Sequence, residues 1–106
     1  MNKKYIISKN EEIAQIIKSG KKNYSKFCII YNIESESEYN MYCISVSKKL
    51  GKAHIRNKIK RIIKDILMKN KLFLKRKYVI IVKKEALDAS YEELKNVLIE
   101  QIKGAK

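Results

Sequence analysis

Proline and tryptophan are absent from this chain of 106 residues, and it holds only three glycines, two cysteines and one histidine. Without proline, and with glycine this sparse, there is no flexible linker, collagen-like repeat or low-complexity tract, so residues 1–106 read as one domain. At this length a single modest core is possible and two are not. Cys28 and Cys43 lie in apolar, strand-like segments with no CxxC spacing and no histidine beside them. That pattern predicts two buried, reduced thiols rather than a disulfide framework or a metal pair. No apolar run approaches the roughly 18 residues of a membrane span. Tyr5, Ile6 and Ile7, which follow Lys3 and Lys4, are too few for a signal-peptide core. The expectation is a cytoplasmic protein with no membrane partner.

Groups able to perform chemistry are equally scarce. A hydrolase or nuclease built from side chains needs clustered carboxylates, a nucleophile with its base, or metal ligands. His54 stands between Lys52 and Arg56 and reads as a helix-start or nucleic-acid-contacting residue rather than a general base. Glu34, Glu36 and Glu38 alternate at the tip of a polar stretch and read as a solvated loop. Ser45 and Ser47 have no partner base, and neither GxSxG nor GxxxxGK[ST] occurs. The sequence therefore assigns no catalytic residue and no metal ligand.

What the chain has in excess is positive charge. Lys and Arg number 25 against 11 Asp and Glu, for a formal charge of +14. Residues 48–77 carry thirteen of those cations and one acid, Asp65, so under a third of the chain holds most of the imbalance. The preference for lysine over arginine is what an AT-rich coding sequence would produce. Coding bias does not, however, gather charge into one segment, and the gathering argues for an anionic partner. At 100° per residue Ile55, Ile59, Ile62, Ile63, Ile66 and Leu67 fall on one stripe of a helix, with Arg56, Asn57, Lys60, Arg61 and Lys64 opposite. One side docks on a core and the other offers cations to a polyanion.

Around that helix, Ser8-Lys9-Asn10-Glu11 has capping-box spacing and opens a short helix in which Ile13, Ile16 and Ile17 repeat at i, i+3 and i+4, stopped by Gly20. Residues 27–33 and 39–46 read as a strand pair, a hairpin or meander joined at the acidic tip, with a further strand expected from a split of residues 39–47. The basic helix spans about 53–69, residues 78–82 form a buried strand, and Ser90-Tyr91-Glu92-Glu93 caps a last helix. That helix turns Leu94, Val97, Leu98, Ile99 and Ile102 inward. The order α-β-β-α-β-α describes an α+β sandwich of helices on a small mixed sheet, with a strand–helix–strand crossover from Val46 to Tyr78 that general rules make right-handed.

Residues 45–64, SVSKKLGKAHIRNKIKRIIK, closely resemble the signature of the bacterial ribonuclease P protein subunit: VSKK, a glycine, then the RNR helix. The likeness covers nearly the whole chain, through Lys9 to Glu12, Ser19-Gly20, the strand at 77–82 and Tyr91-Glu92-Glu93. The resemblance implies a ribosomal protein S5 domain 2-like fold: a two-layer sandwich of a four-stranded mixed sheet and three helices. It also implies a left-handed βαβ crossover, in place of the general rule. By resemblance the chain is the protein subunit of an endoribonuclease of tRNA 5′ maturation. The catalytic centre and most of the bound Mg²⁺ then lie in the RNA subunit. The partners implied are that RNA and the 5′ leader of precursor tRNA, with no dedicated protein partner evident.

The residues implied on the catalytic RNA are Lys48, Lys49, Lys52, Arg56, Asn57, Lys58, Lys60, Arg61 and Lys64, and those in the leader cleft are Ile13, Ile17 and Tyr31. Three positions depart from the family pattern. Lys58 stands where arginine is common, keeping charge but losing the planar fork. Ile13 and Ile17 stand where aromatics are common, and isoleucine cannot stack on a base. The alternative expectation is a generic RNA-binding protein of ribosomal type. A DNA-reading helix-turn-helix fits less well, because strand rather than helix precedes the basic segment.

Overall fold

We describe residues 5–70 and 74–104 of a computed structural model of the chain. Lys3, Lys4 and Lys71, which entered the sequence reading, lie outside them. Helix α1 (Asn10–Ser19) is followed by strands β1 (Lys21–Tyr24), β2 (Cys28–Glu34) and β3 (Met41–Ser45). Then come helix α2 (Ala53–Lys69), strand β4 (Arg76–Val82) and helix α3 (Tyr91–Gly104). Short 3₁₀ turns at Lys48–Leu50 and Lys84–Asp88 lead into α2 and α3.

The strands form one mixed sheet in the order β1-β2-β4-β3. β2 pairs antiparallel with β1 and β4, while β3 lies parallel to β4. The hairpin expected between residues 27–33 and 39–46 is therefore not formed. β4 inserts between β2 and β3, and the acidic stretch crosses the end of the sheet instead of closing a turn. Ser35 N–H bonds the Lys75 carbonyl there (2.8 Å), and a loose Glu34–Arg76 pair lies close by. The reason is burial: YVIIV in β4 is apolar on both faces and belongs at the centre of a sheet covered on both sides. The fourth strand also lies elsewhere than expected. It is β1, whose sequence KKNY shows no apolar alternation because an edge strand keeps most of its surface in water.

Alternation along β2 assigns the two faces. Cys28 and Ile30 join Tyr42, Tyr78, Ile80 and Val82 beneath α2 (Ile59, Ile63, Ile66, Leu67) and α3 (Leu94, Leu98, Ile102), forming the main core. Tyr31 and Ile33 face the other way, where α1 lays Ile16 and Ile13 across Val79, Ile81 and Ile7. Sheet with α2 and α3 makes the two-layer sandwich, and α1 covers part of the opposite face. The β3–α2–β4 unit is the crossover expected between residues 46 and 78.

Gly20 marks the tightest joint. A β-carbon there would lie 2.4 Å from the Ile16 carbonyl oxygen and 2.8 Å from that of Asn32, so only glycine lets α1 end against β2. The capping box expected at Ser8 is not made: Lys9 occupies the N-cap without a side-chain bond, and Glu11 and Glu12 instead favour the positive helix end. At the last helix Ser90 does cap, its Oγ accepting from Glu93 N–H at 3.2 Å. Inward positions on α3 include one polar residue that periodicity missed. Gln101 is buried and donates to the carbonyls of Asn23 (3.1 Å) and Cys28 (3.0 Å), fastening α3 to β1 and β2.

Both cysteines are free thiols. Cys28 is buried in the main core, and burial pushes its thiol up to about 12. Cys43 is half-buried on the α1 face and is also raised by burial. They point to opposite sides of the sheet, which is why they do not pair.

Candidate nucleic-acid interface

The basic helix begins with a turn that only its sequence allows. Ser47 Oγ accepts from Lys49 N–H (3.2 Å), closing the 3₁₀ turn Lys48–Leu50. Gly51 then adopts φ 145°, a region open to glycine and costly for other residues. Arg56 reaches back from the first turns of α2, its Nε donating to the Gly51 carbonyl at 3.2 Å. Lys48, Lys49 and Lys52 are thereby held, exposed, just ahead of the helix.

Along α2 the buried stripe is Ile59, Ile63, Ile66 and Leu67, with Ile62 partly covered. Ile55 was expected on that stripe but is 37% exposed, lying over Gly51 and at the mouth of a groove. Asn57, Lys58 and Arg61 are exposed on the outward side, with Lys64 half-buried. Arg56 and Lys60 are half-buried, Arg56 through its bond to Gly51 and Lys60 through its position in a shallow hollow with Cys43 and Lys64 at the β3 edge. Six of the nine expected residues thus lie along α2 and three lead into it, with Arg56 serving structure as well as charge. Asp65 is already engaged by the Tyr91 hydroxyl (2.8 Å) and Lys69 (3.3 Å); the hydroxyl, then Lys69, holds its carboxyl below the ordinary value. The one acid of this region is thus taken up by its neighbours.

The electrostatics run against stability in one respect. No acid occupies the first turn of α2, whereas Lys52 stands at its N-cap and His54 and Arg56 follow. A helix N-terminus carries partial positive charge and favours anions. Cations crowded there cost the free protein something that a bound phosphate would relieve. Such a local conflict between sequence and fold is expected at a functional surface.

The second expected site lies on the opposite face of the sheet. Ile13 of α1 and Tyr31 of β2, both partly buried, pack on the same small core. Ile17 lies one turn further along α1 and is 40% exposed. The floor is completed by Ile33 and Ile81, and Glu12 of α1 pairs with Lys77 of β4 across its end. Sequence reading missed the neighbouring pair on β1. The Lys22 ammonium lies 4.8 Å from the Tyr24 ring centroid and 5.4 Å from that of Tyr31. Those two tyrosines hold it above the ordinary lysine value.

Among the described residues no three His, Cys, Asp or Glu side chains gather so as to hold a metal ion. A strongly basic helix on one face of a mixed sheet, with a partly buried apolar patch of Ile13, Tyr31, Ile33 and Ile81 on the other, defines a class: small nucleic-acid-binding domains. Comparison with known proteins makes this particular. The chain belongs to the ribonuclease P protein family, whose family profile, Ribonuclease P, matches residues 1–106. The ribonuclease P protein component of Bacillus cereus (strain ATCC 10987 / NRS 248) is 37% identical over 106 residues, covering 97% of this chain and 92% of that protein. The RNase P protein of Staphylococcus aureus matches with a TM-score of 0.84 at 32% identity, covering 96% of this chain and 95% of that one. That of Thermotoga maritima matches with a TM-score of 0.85 over 94% and 96%, at 22% identity, a likeness of fold alone. The chain is thus the protein component of a tRNA-processing endoribonuclease, a ribonucleoprotein, and its partner is RNA.

Proposed function

We propose that the outward side of α2, with Lys48, Lys49 and Lys52 ahead of it, docks on the catalytic RNA, while the cleft of Ile13, Ile17 and Tyr31 receives the 5′ leader of precursor tRNA. The observation that carries this reading is the placement of two unlike surfaces on opposite sides of one sheet. A-form RNA presents phosphates and 2′-hydroxyls and hides its base edges, which suits a rigid array of lysines. Single-stranded leader presents unstacked bases, which suit an apolar cleft with a tyrosine. Here Tyr31 is the ring within that cleft, and Ile13 and Ile17 give apolar packing in place of stacking. Mg²⁺ in this reading is a ligand of RNA phosphates, and the protein's part is to lower the repulsion that the ions must otherwise screen. The place of action is the cytoplasm.

The test is cleavage of precursor tRNA by a bacterial ribonuclease P RNA at low Mg²⁺ and moderate salt, with and without the protein. Correct 5′ cleavage that requires both components is expected. Tight RNA binding with no stimulation would reduce the chain to a generic RNA-binding protein of ribosomal type.

A further inference from the structure

The register of β1 on β2 pairs Lys22 with Tyr31 and Tyr24 with Ile29. Directly paired residues project from the same face, as do positions two apart on a strand. Lys22, Tyr24, Ile29 and Tyr31 therefore share one face, and Tyr31 places it as the face that α1 partly covers. Tyr24 joins neither core and is 64% exposed, more than any other large hydrophobic side chain among the described residues. Packing does not account for a ring held open to solvent on an edge strand. An ammonium lodged between that ring and Tyr31 is the combination that tracks single-stranded nucleic acid: a π-face for a base and a cation for the phosphate beside it.

We propose that Tyr24 and Lys22 form a second single-strand platform that extends the cleft across β1 and takes one further RNA base, with its phosphate, beyond Tyr31. The proposal rests on the reading that leader lies in that cleft, and it names the part of leader recognition that Ile13 and Ile17 cannot supply. Tyr24 and Tyr31 are diagonal neighbours across the strand pair, about 7–8 Å apart at the backbone. Two bases of one extended strand can therefore rest on the two rings with Lys22 between them.

The experiment uses holoenzyme reconstituted with a ribonuclease P RNA, and measures Kd for precursor tRNA carrying a long leader and one carrying a single-nucleotide leader. Tyr24→Ala should weaken the long-leader substrate by about fivefold to tenfold, the lower part of what one base–aromatic stack supplies, and leave the short one nearly unchanged. Tyr24→Phe should restore the preference, and Lys22→Gln should reduce both the preference and its salt dependence. A preference untouched by Tyr24→Ala but lost in Tyr31→Ala would overturn the platform and leave the cleft reading standing. A preference that survives both substitutions would overturn the cleft reading as well.

Discussion

Gly51 shows how much of the interface depends on a single backbone angle. With φ at 145° it turns the chain from the Lys48–Leu50 coil into α2, and an added β-carbon would also meet the Ile55 side chain at 3.3 Å. Gly51→Ala should destabilise the domain by about 1–3 kcal/mol, the cost of a residue held in a glycine-only region, visible as a melting temperature several degrees lower. Gly104→Ala makes a fitting control, because nothing lies within 4 Å of its added carbon. Equal melting temperatures for the two variants would show that the turn relaxes freely. Arg56 belongs to the same joint. Its signature position reads as an RNA contact, yet its Nε is spent on the Gly51 carbonyl, so removing it mixes loss of charge with loss of the turn. Asn32 and Asn40 are a further lesson at this scale. Both are buried, Asn32 accepting from Arg76 Nε (2.6 Å) and Asn40 from the Leu74 (3.0 Å) and Arg76 (3.4 Å) amides. Nothing in the sequence marks them as buried, because the donors to their side-chain oxygens lie more than thirty residues away.

Helix α2 is the element in which local pattern and the proposed RNA contact coincide. Its span, its cations and, Ile55 excepted, its buried stripe follow from a 3.6-residue period, since a helix makes its own hydrogen bonds and needs only one face covered. Lys58 and Arg61 are the cleanest probes, being exposed and free of the Gly51 joint. If about six phosphates are neutralised, log K for the RNA subunit should fall against log salt with a slope of roughly −4 to −5. Lys58→Ala combined with Arg61→Ala should make that slope shallower by about 1.5, with the thermal transition unchanged. A lost cooperative transition would mean that these cations hold the fold. A slope that ignored the substitutions would move the phosphate contacts elsewhere. Strands were less legible than this helix. β1 has no apolar alternation, and β2 and β3 read as a hairpin because they are adjacent in sequence and both rich in β-formers.

At the scale of the whole molecule the dominant quantity is net charge. A formal +14 on a domain with a Cα radius of gyration of 12.8 Å opposes compaction, most strongly around α2. Anions that bind the native state should therefore stabilise it by mass action. Sulfate at tens of millimolar is expected to raise the melting temperature more than chloride of equal ionic strength does. An equal response to the two salts would mean that general screening, rather than bound anions, relieves the repulsion.

The sequence by itself determined the cationic character, the extent of α2 and most of its buried stripe, the apolar face of α3 and, through VSKK–G–RN–IKR, the family. Each of these is written locally, in composition, helical period or contiguous motif. Tertiary structure decided what pairs with what: β4 between β2 and β3, β1 as the outer strand, the two cysteines on opposite faces, Arg56 on Gly51, and Lys22 between Tyr24 and Tyr31. These arrangements depend on strand order and register, where the deciding term is burial of β4 on both faces, and partners distant in the chain meet only after the sheet has closed around it.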